Sequence, residues 1–86
     1  MIAEATALRK MRLRDARASL GLTQKELARL AGLHYNVISN CESGKKSIRI
    51  TTAWAILNVL NERRAQRNLP TLTLKSLTWK IEGEED

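Results

Sequence analysis

Thr23-Gln24-Lys25-Glu26-Leu27-Ala28-Arg29-Leu30-Ala31-Gly32-Leu33-His34-Tyr35-Asn36-Val37-Ile38-Ser39-Asn40-Cys41-Glu42-Ser43-Gly44 decides how this chain folds. Thr23 and Glu26 are spaced as a Thr-x-x-Glu capping box. The threonine oxygen accepts from an amide at the helix start, and the glutamate reaches back. Leu27, Ala28, Leu30 and Ala31 are expected on the buried side of that helix. Gly32 follows where the chain must turn sharply, and glycine enters positive φ without steric cost. A further helix is expected over residues 34–42. Val37, Ile38 and Cys41 would face inward, and Tyr35, Asn36, Ser39 and Asn40 outward. Gly44 ends it.

On the N-terminal side, residues 1–20 are rich in Ala, Leu, Arg and Met and favour helix. Leu13, Ala16 and Leu20 share one face at i, i+3 and i+7, and Gly21 offers a left-handed stop. On the C-terminal side, Lys45, Lys46 and Ser47 make a basic loop. Thr51 or Thr52 can cap a fourth helix with Ala53, Trp54, Ile56, Leu57 and Leu60 inward. That helix runs on through Arg63, Arg64 and Arg67 until Asn68 and Pro70 break it. Residues 72–81 carry two patterns. Leu72, Leu74, Leu77, Trp79 and Ile81 partly alternate, as in a strand. Leu74, Leu77 and Ile81 also fall at helical spacing behind Thr73, and a short helix is the expectation.

The 86 residues suit one domain. It divides into residues 1–68 as the helical domain and residues 69–86 as a C-terminal extension with an acidic tail. The net charge is +6, but Glu82, Glu84, Glu85 and Asp86 hold four of the nine acids. Residues 1–81 therefore set fifteen cations against five acids, a net of +10. So basic a body favours polyanions, because binding releases their condensed counterions. There is one histidine, one cysteine, no glycine-rich phosphate loop and no metal-ligand cluster. An enzyme, a metal site and a cofactor are not expected. The sequence shows neither an apolar run near a membrane span nor an apolar leader core, so a cytoplasmic protein is expected.

Residues 13–60 resemble the lambda-repressor-like, Xre-type helix-turn-helix DNA-binding family. The match lies in Leu13, Arg17, Leu22-Thr23-Gln24, Glu26-Leu27-Ala28, Gly32, Ile38-Ser39, and Glu42-x-Gly44 with the lysines after it. The resemblance implies an all-α, compact bundle of four to five helices. It also implies operator binding, usually by a homodimer on a pseudo-palindromic double-stranded DNA site. Tyr35, Asn36 and Asn40 match base-reading positions, with Ser39 on the same face. Asparagine can pair in a bidentate way with an adenine edge, and tyrosine can pack on a thymine methyl. Gln24 matches a phosphate contact, flanked by Thr23 and Lys25, and Lys45 and Lys46 match a backbone-contacting loop. Arg17 and Glu42 match a structural ion pair. The chain departs from the family at His34, where Ser or Thr is frequent. That histidine either caps its helix, stays in solvent or meets a phosphate. Cys41 stands where a larger aliphatic is common.

The expected function is a small transcriptional regulator, a repressor by analogy. An antitoxin that represses its own operon is the alternative, with residues 61–81 presenting a surface to a toxin partner. Trp54 is expected in the core, and Trp79 either there or at a dimer interface. Arg63, Arg64 and Arg67 read as a solvated face. Arg9, Lys10, Arg12 and Arg14 form a basic arm, a phosphate-facing side of the first helix, or an ordinary solvated helix face.

Overall fold

In the computed structural model, residues 10–83 are described. Arg9 of the basic arm, the start of the helix-friendly stretch, and Glu84, Glu85 and Asp86 of the acidic tail lie outside the described residues. Helix α1 spans Leu13–Ala18, with Leu13 and Ala16 buried. Helix α2 spans Gln24–Ala31 and α3 spans Tyr35–Ser43. Helix α4 is longer, Ile50–Gln66. Gly32 turns the chain between α2 and α3 at φ 72°, and Gly44 ends α3 at φ 73°. Both lie in the left-handed region, which a Cβ disfavours. Among the described residues there is no strand, and the class is all-α. No described helix is long and apolar enough to cross a membrane.

A single core joins the four described helices: Leu13, Ala16, Leu20, Leu27, Ala28, Ile38, Cys41, Ala53, Ile56, Leu57 and Leu60 are buried together. Two inward expectations fail. Leu30 is 40% exposed and Trp54 49% exposed. On α4 the buried residues are Ala53, Ile56, Leu57, Leu60 and Arg64. Each residue advances about 100° around a helix, and Trp54 then falls roughly 60° beyond the edge of that stripe.

The same geometry sets Arg64 inside the stripe, and it is 7% exposed rather than solvated. Its Nε donates to the Pro70 carbonyl at 2.8 Å. Arg67 is also tied. It donates to the carbonyls of Ser19 at 2.9 Å and Leu20 at 3.3 Å. These carbonyls follow the last turn of α1, where acceptors lack intrahelical partners and a cation is favoured.

The C-terminal segment combines its two expected patterns. A single 3-10 turn covers Leu74–Ser76 behind Thr73, so the expected helix is confined to one turn. Beyond it the chain alternates, with Leu77, Trp79 and Ile81 buried and Thr78 and Lys80 exposed. Isolated parallel bridges pair Met11 with Leu77 and Ile48 with Ile81. Asn61 grips the start of this strap in both directions. Its Nδ2 donates to the Leu72 carbonyl at 2.9 Å, and its Oδ1 accepts from the Leu72 amide at 2.8 Å. Trp79 is 8% exposed and Leu72, Leu77 and Ile81 lie in the same core. These apolar side chains are used within the chain rather than offered to an interface. The Trp79 indole is satisfied too, donating from Nε1 to the Leu74 carbonyl at 2.9 Å.

Candidate nucleic-acid interface

Helix α2 begins with the capping box read from the sequence. The Glu26 amide donates to Thr23 Oγ1 at 3.0 Å, and the Thr23 amide donates to Glu26 Oε1 at 2.9 Å. The Thr23 amide, with help from the threonine hydroxyl, holds the Glu26 carboxyl below its ordinary range. The cap fixes where the first turn points, and a helix start is a ready anion site.

Helix α3 begins at Tyr35 with His34 as its cap, rather than at His34. His34 Nδ1 accepts from the Asn36 amide at 3.2 Å. An imidazole that accepts through Nδ1 carries its proton on Nε2, which leaves a donor on the exposed ring edge. The His34 and Tyr35 rings stack with centroids 5.5 Å apart. Lys25 brings Nζ to 5.7 Å from the Tyr35 ring centroid, within the range of a cation–π contact. The start of α2 and the start of α3 thus share one face, carrying a lysine, an imidazole and a phenol.

Tyr35, Asn36, Ser39 and Asn40 lie within about 140° of helix surface at roughly 100° per residue. Tyr35 and Asn36 are exposed, and Ser39 and Asn40 are half-buried. Opposite them Ile38 is fully buried and Cys41 nearly so, which prevents the helix from rolling on its bed. Burial, and secondly the neighbouring Glu42 charge, push the Cys41 thiol up to about 11. A thiol in that state is inert as a nucleophile at neutral pH. After Gly44, Lys45 and Lys46 are exposed, and the Lys45 amide donates to the Asn40 carbonyl at 3.2 Å. Ile48 anchors the far end of this loop. Its amide donates to the Lys80 carbonyl at 2.9 Å, and its carbonyl accepts from the Glu82 amide at 2.7 Å.

One polar cluster connects the frame to this face. Arg17 Nε donates to Glu42 Oε2 at 2.6 Å, and its Nη2 donates to Glu42 Oε1 at 3.2 Å. Arg17 Nη1 donates to the Leu22 carbonyl at 2.7 Å. Gln24 joins them, donating from Nε2 to Glu42 Oε1 at 3.0 Å. Sequence reasoning missed this last bond. It orients the Gln24 amide from beneath and leaves its carbonyl oxygen and second N–H for another partner. Arg14 is a further cation near this face: it lines one groove together with Gln24 and Ser39.

The Helix-turn-helix family model matches residues 13–69. The chain belongs to the helix-turn-helix family. An uncharacterised helix-turn-helix-type transcriptional regulator of Archaeoglobus fulgidus is 37% identical over 54 residues, which cover 63% of this chain and 77% of that relative. No solved structure matches the chain. The family match runs past α4, yet the helix-turn-helix core is completed by Leu72, Leu77, Trp79 and Ile81 beyond it.

Proposed function

We propose that this protein binds double-stranded DNA in a sequence-specific way and acts as a small transcriptional repressor. Helix α3 lies in the major groove. Tyr35, Asn36, Ser39 and Asn40 meet base edges there, while Thr23, Gln24, Lys25, His34, Lys45 and Lys46 meet the sugar-phosphate backbone. The observation that carries this reading is the polar outer face of α3, held on a buried Ile38–Cys41 seat inside a strongly basic body. Similarity to the Archaeoglobus helix-turn-helix-type transcriptional regulator supports a role in transcription.

A homodimer on a pseudo-palindromic site completes the proposal. Leu30, Ile50 and Trp54 are exposed apolar side chains on α2 and α4 available to a second copy. A monomer both free and on DNA, by sedimentation, refutes this part. The antitoxin alternative relied on residues 61–81 offering apolar surface to a toxin. With Leu72, Leu77, Trp79 and Ile81 in the core, no observation favours it over repression.

The test is selection of bound duplexes from a random pool at about 150 mM salt, where nonspecific attraction is much reduced. The expected result is a motif with two-fold symmetry. Asn36→Ala should then lose about 1–3 kcal/mol on that motif and relax the preference at one base. No enriched motif, or equal losses on motif and random duplex, refutes sequence reading by α3.

A further inference from the structure

Arg14 stands where two surface grooves meet. The first joins it to Gln24 on α2 and to Ser39 and Ser43 on α3. The second joins Arg12, just before α1, and Arg14 on α1 to Ser43 and Gly44 at the end of α3, and to Thr78 on the strap. Arg12, Arg14, Ser43, Gly44 and Thr78 are all exposed. The first groove runs along the proposed DNA face. The second leads away from it toward the C-terminal strap, which Ile48 holds beside the Lys45–Lys46 loop.

We infer that the second groove is an additional DNA-backbone site, in which the Arg12 and Arg14 guanidiniums and the Thr78 hydroxyl take phosphates flanking the stretch read by α3. The inference rests on the duplex-binding reading above. A guanidinium fork matches a phosphate in a bidentate way, and two such forks at successive positions of one track suit a polyanion better than a single carboxylate. The carboxylate that lines both grooves, Glu42, is already engaged by Arg17 and Gln24. Asp15 and Glu26 line neither groove. Thr78 lies outside the segment matched by the family model, so the strap would add contacts that the helix-turn-helix alone does not make.

The test compares wild type, Arg14→Gln and Arg12→Gln/Arg14→Gln across a salt series. The probes are the selected duplex with long flanks, the same duplex trimmed to its motif, and a random-sequence duplex. Each neutralised phosphate contributes about 0.9 to the slope of log affinity against log salt, so the double variant should lower the slope by about 2 on the flanked duplex. The loss should be the same on random DNA and smaller on the trimmed duplex. Arg29→Gln is the control cation, because Arg29 is exposed on α2 and lines neither groove; its slope should match wild type. Thermal melts of both arginine variants should match wild type, since neither side chain is buried. An unchanged slope for the double variant on the flanked duplex overturns the site, and so does a drop no larger than that of Arg29→Gln. If selection recovers no motif, base reading by α3 fails, and the slope on random duplex still decides the groove.

Discussion

Glu42→Gln should unfold this protein more readily than its small change in size suggests. The substitution keeps the side-chain volume and removes the charge from a pair whose side chains are 14% (Arg17) and 7% (Glu42) exposed. Glu42 accepts from Arg17 Nε, Arg17 Nη2 and Gln24 Nε2 at 2.6, 3.2 and 3.0 Å. A glutamine offers one carbonyl oxygen in place of two, and its NH2 would face donors. Removing one partner of a buried ion pair costs about 3–5 kcal/mol. Arg17 keeps its bond to the Leu22 carbonyl at 2.7 Å and some water, so about 3 kcal/mol is expected here. For a domain of this size that is a fall in Tm of roughly 12–24 °C. Circular-dichroism melting and urea titration read it directly. Arg17→Met/Glu42→Leu should recover most of the loss, because no uncompensated charge remains. A Glu42→Gln protein within about 0.5 kcal/mol of wild type would refute the reasoning. A double variant as unstable as the single one would refute it too.

Trp79→Ala should cost about 3–5 kcal/mol, since it empties a site in the core and orphans the Leu74 carbonyl; a loss under about 1 kcal/mol in urea titration would show the strap to be dispensable. Thr23→Ala should cost about 1 kcal/mol through the lost cap of α2, with Thr23→Ser restoring it in the same melting assay. Cys41 carries a thiol raised from 9.0 to about 11 in the folded protein. Its folded pKa lies above its unfolded one, so its contribution is fully present below pH 9 and falls as pH rises through 11. Wild type should therefore lose stability relative to Cys41→Ala across that window, and an identical pH profile for the two proteins would contradict it.

The turn-helix pair was legible because its signals are local. A capping box, a glycine at positive φ and an apolar stripe each occupy a few neighbouring residues, and they agree in register. What escaped depends on angle or on distance along the chain. Trp54 joins the inward group when apolar residues are merely counted, whereas stepping round the helix moves it outside the stripe and brings Arg64 within it. That burial was readable in principle, but an arginine is assigned to solvent by habit of charge. Its partner, the Pro70 carbonyl, becomes available only because the chain doubles back after Asn68, the one non-glycine described residue at positive φ. Arg67 bonds across 48 positions to Ser19, and no periodicity announces such a contact. Within the candidate site, the pairing of Arg17 with Glu42 was suggested only by resemblance. The third member, Gln24, matches a phosphate contact by the same resemblance, and its inner bond to Glu42 spans 18 positions without a local signal. The strap was ambiguous because it does hold both patterns, one turn of 3-10 helix and then an alternating extended run.

The strap also sets an order of events during synthesis. Its bridges join Leu77 to Met11 and Ile81 to Ile48, so its pairing closes one loop that spans most of the described chain and a second that spans less than half of it. Such closures are slow compared with the local contacts of α2 and α3. A nascent chain emerging as far as Gln66 already holds every residue of the four described helices, but not the last four side chains of the described core, Leu72, Leu77, Trp79 and Ile81. The unit that would read DNA is therefore made before the unit that can fold stably around it. Until the last stretch docks, the apolar underside of the helices stays open to water.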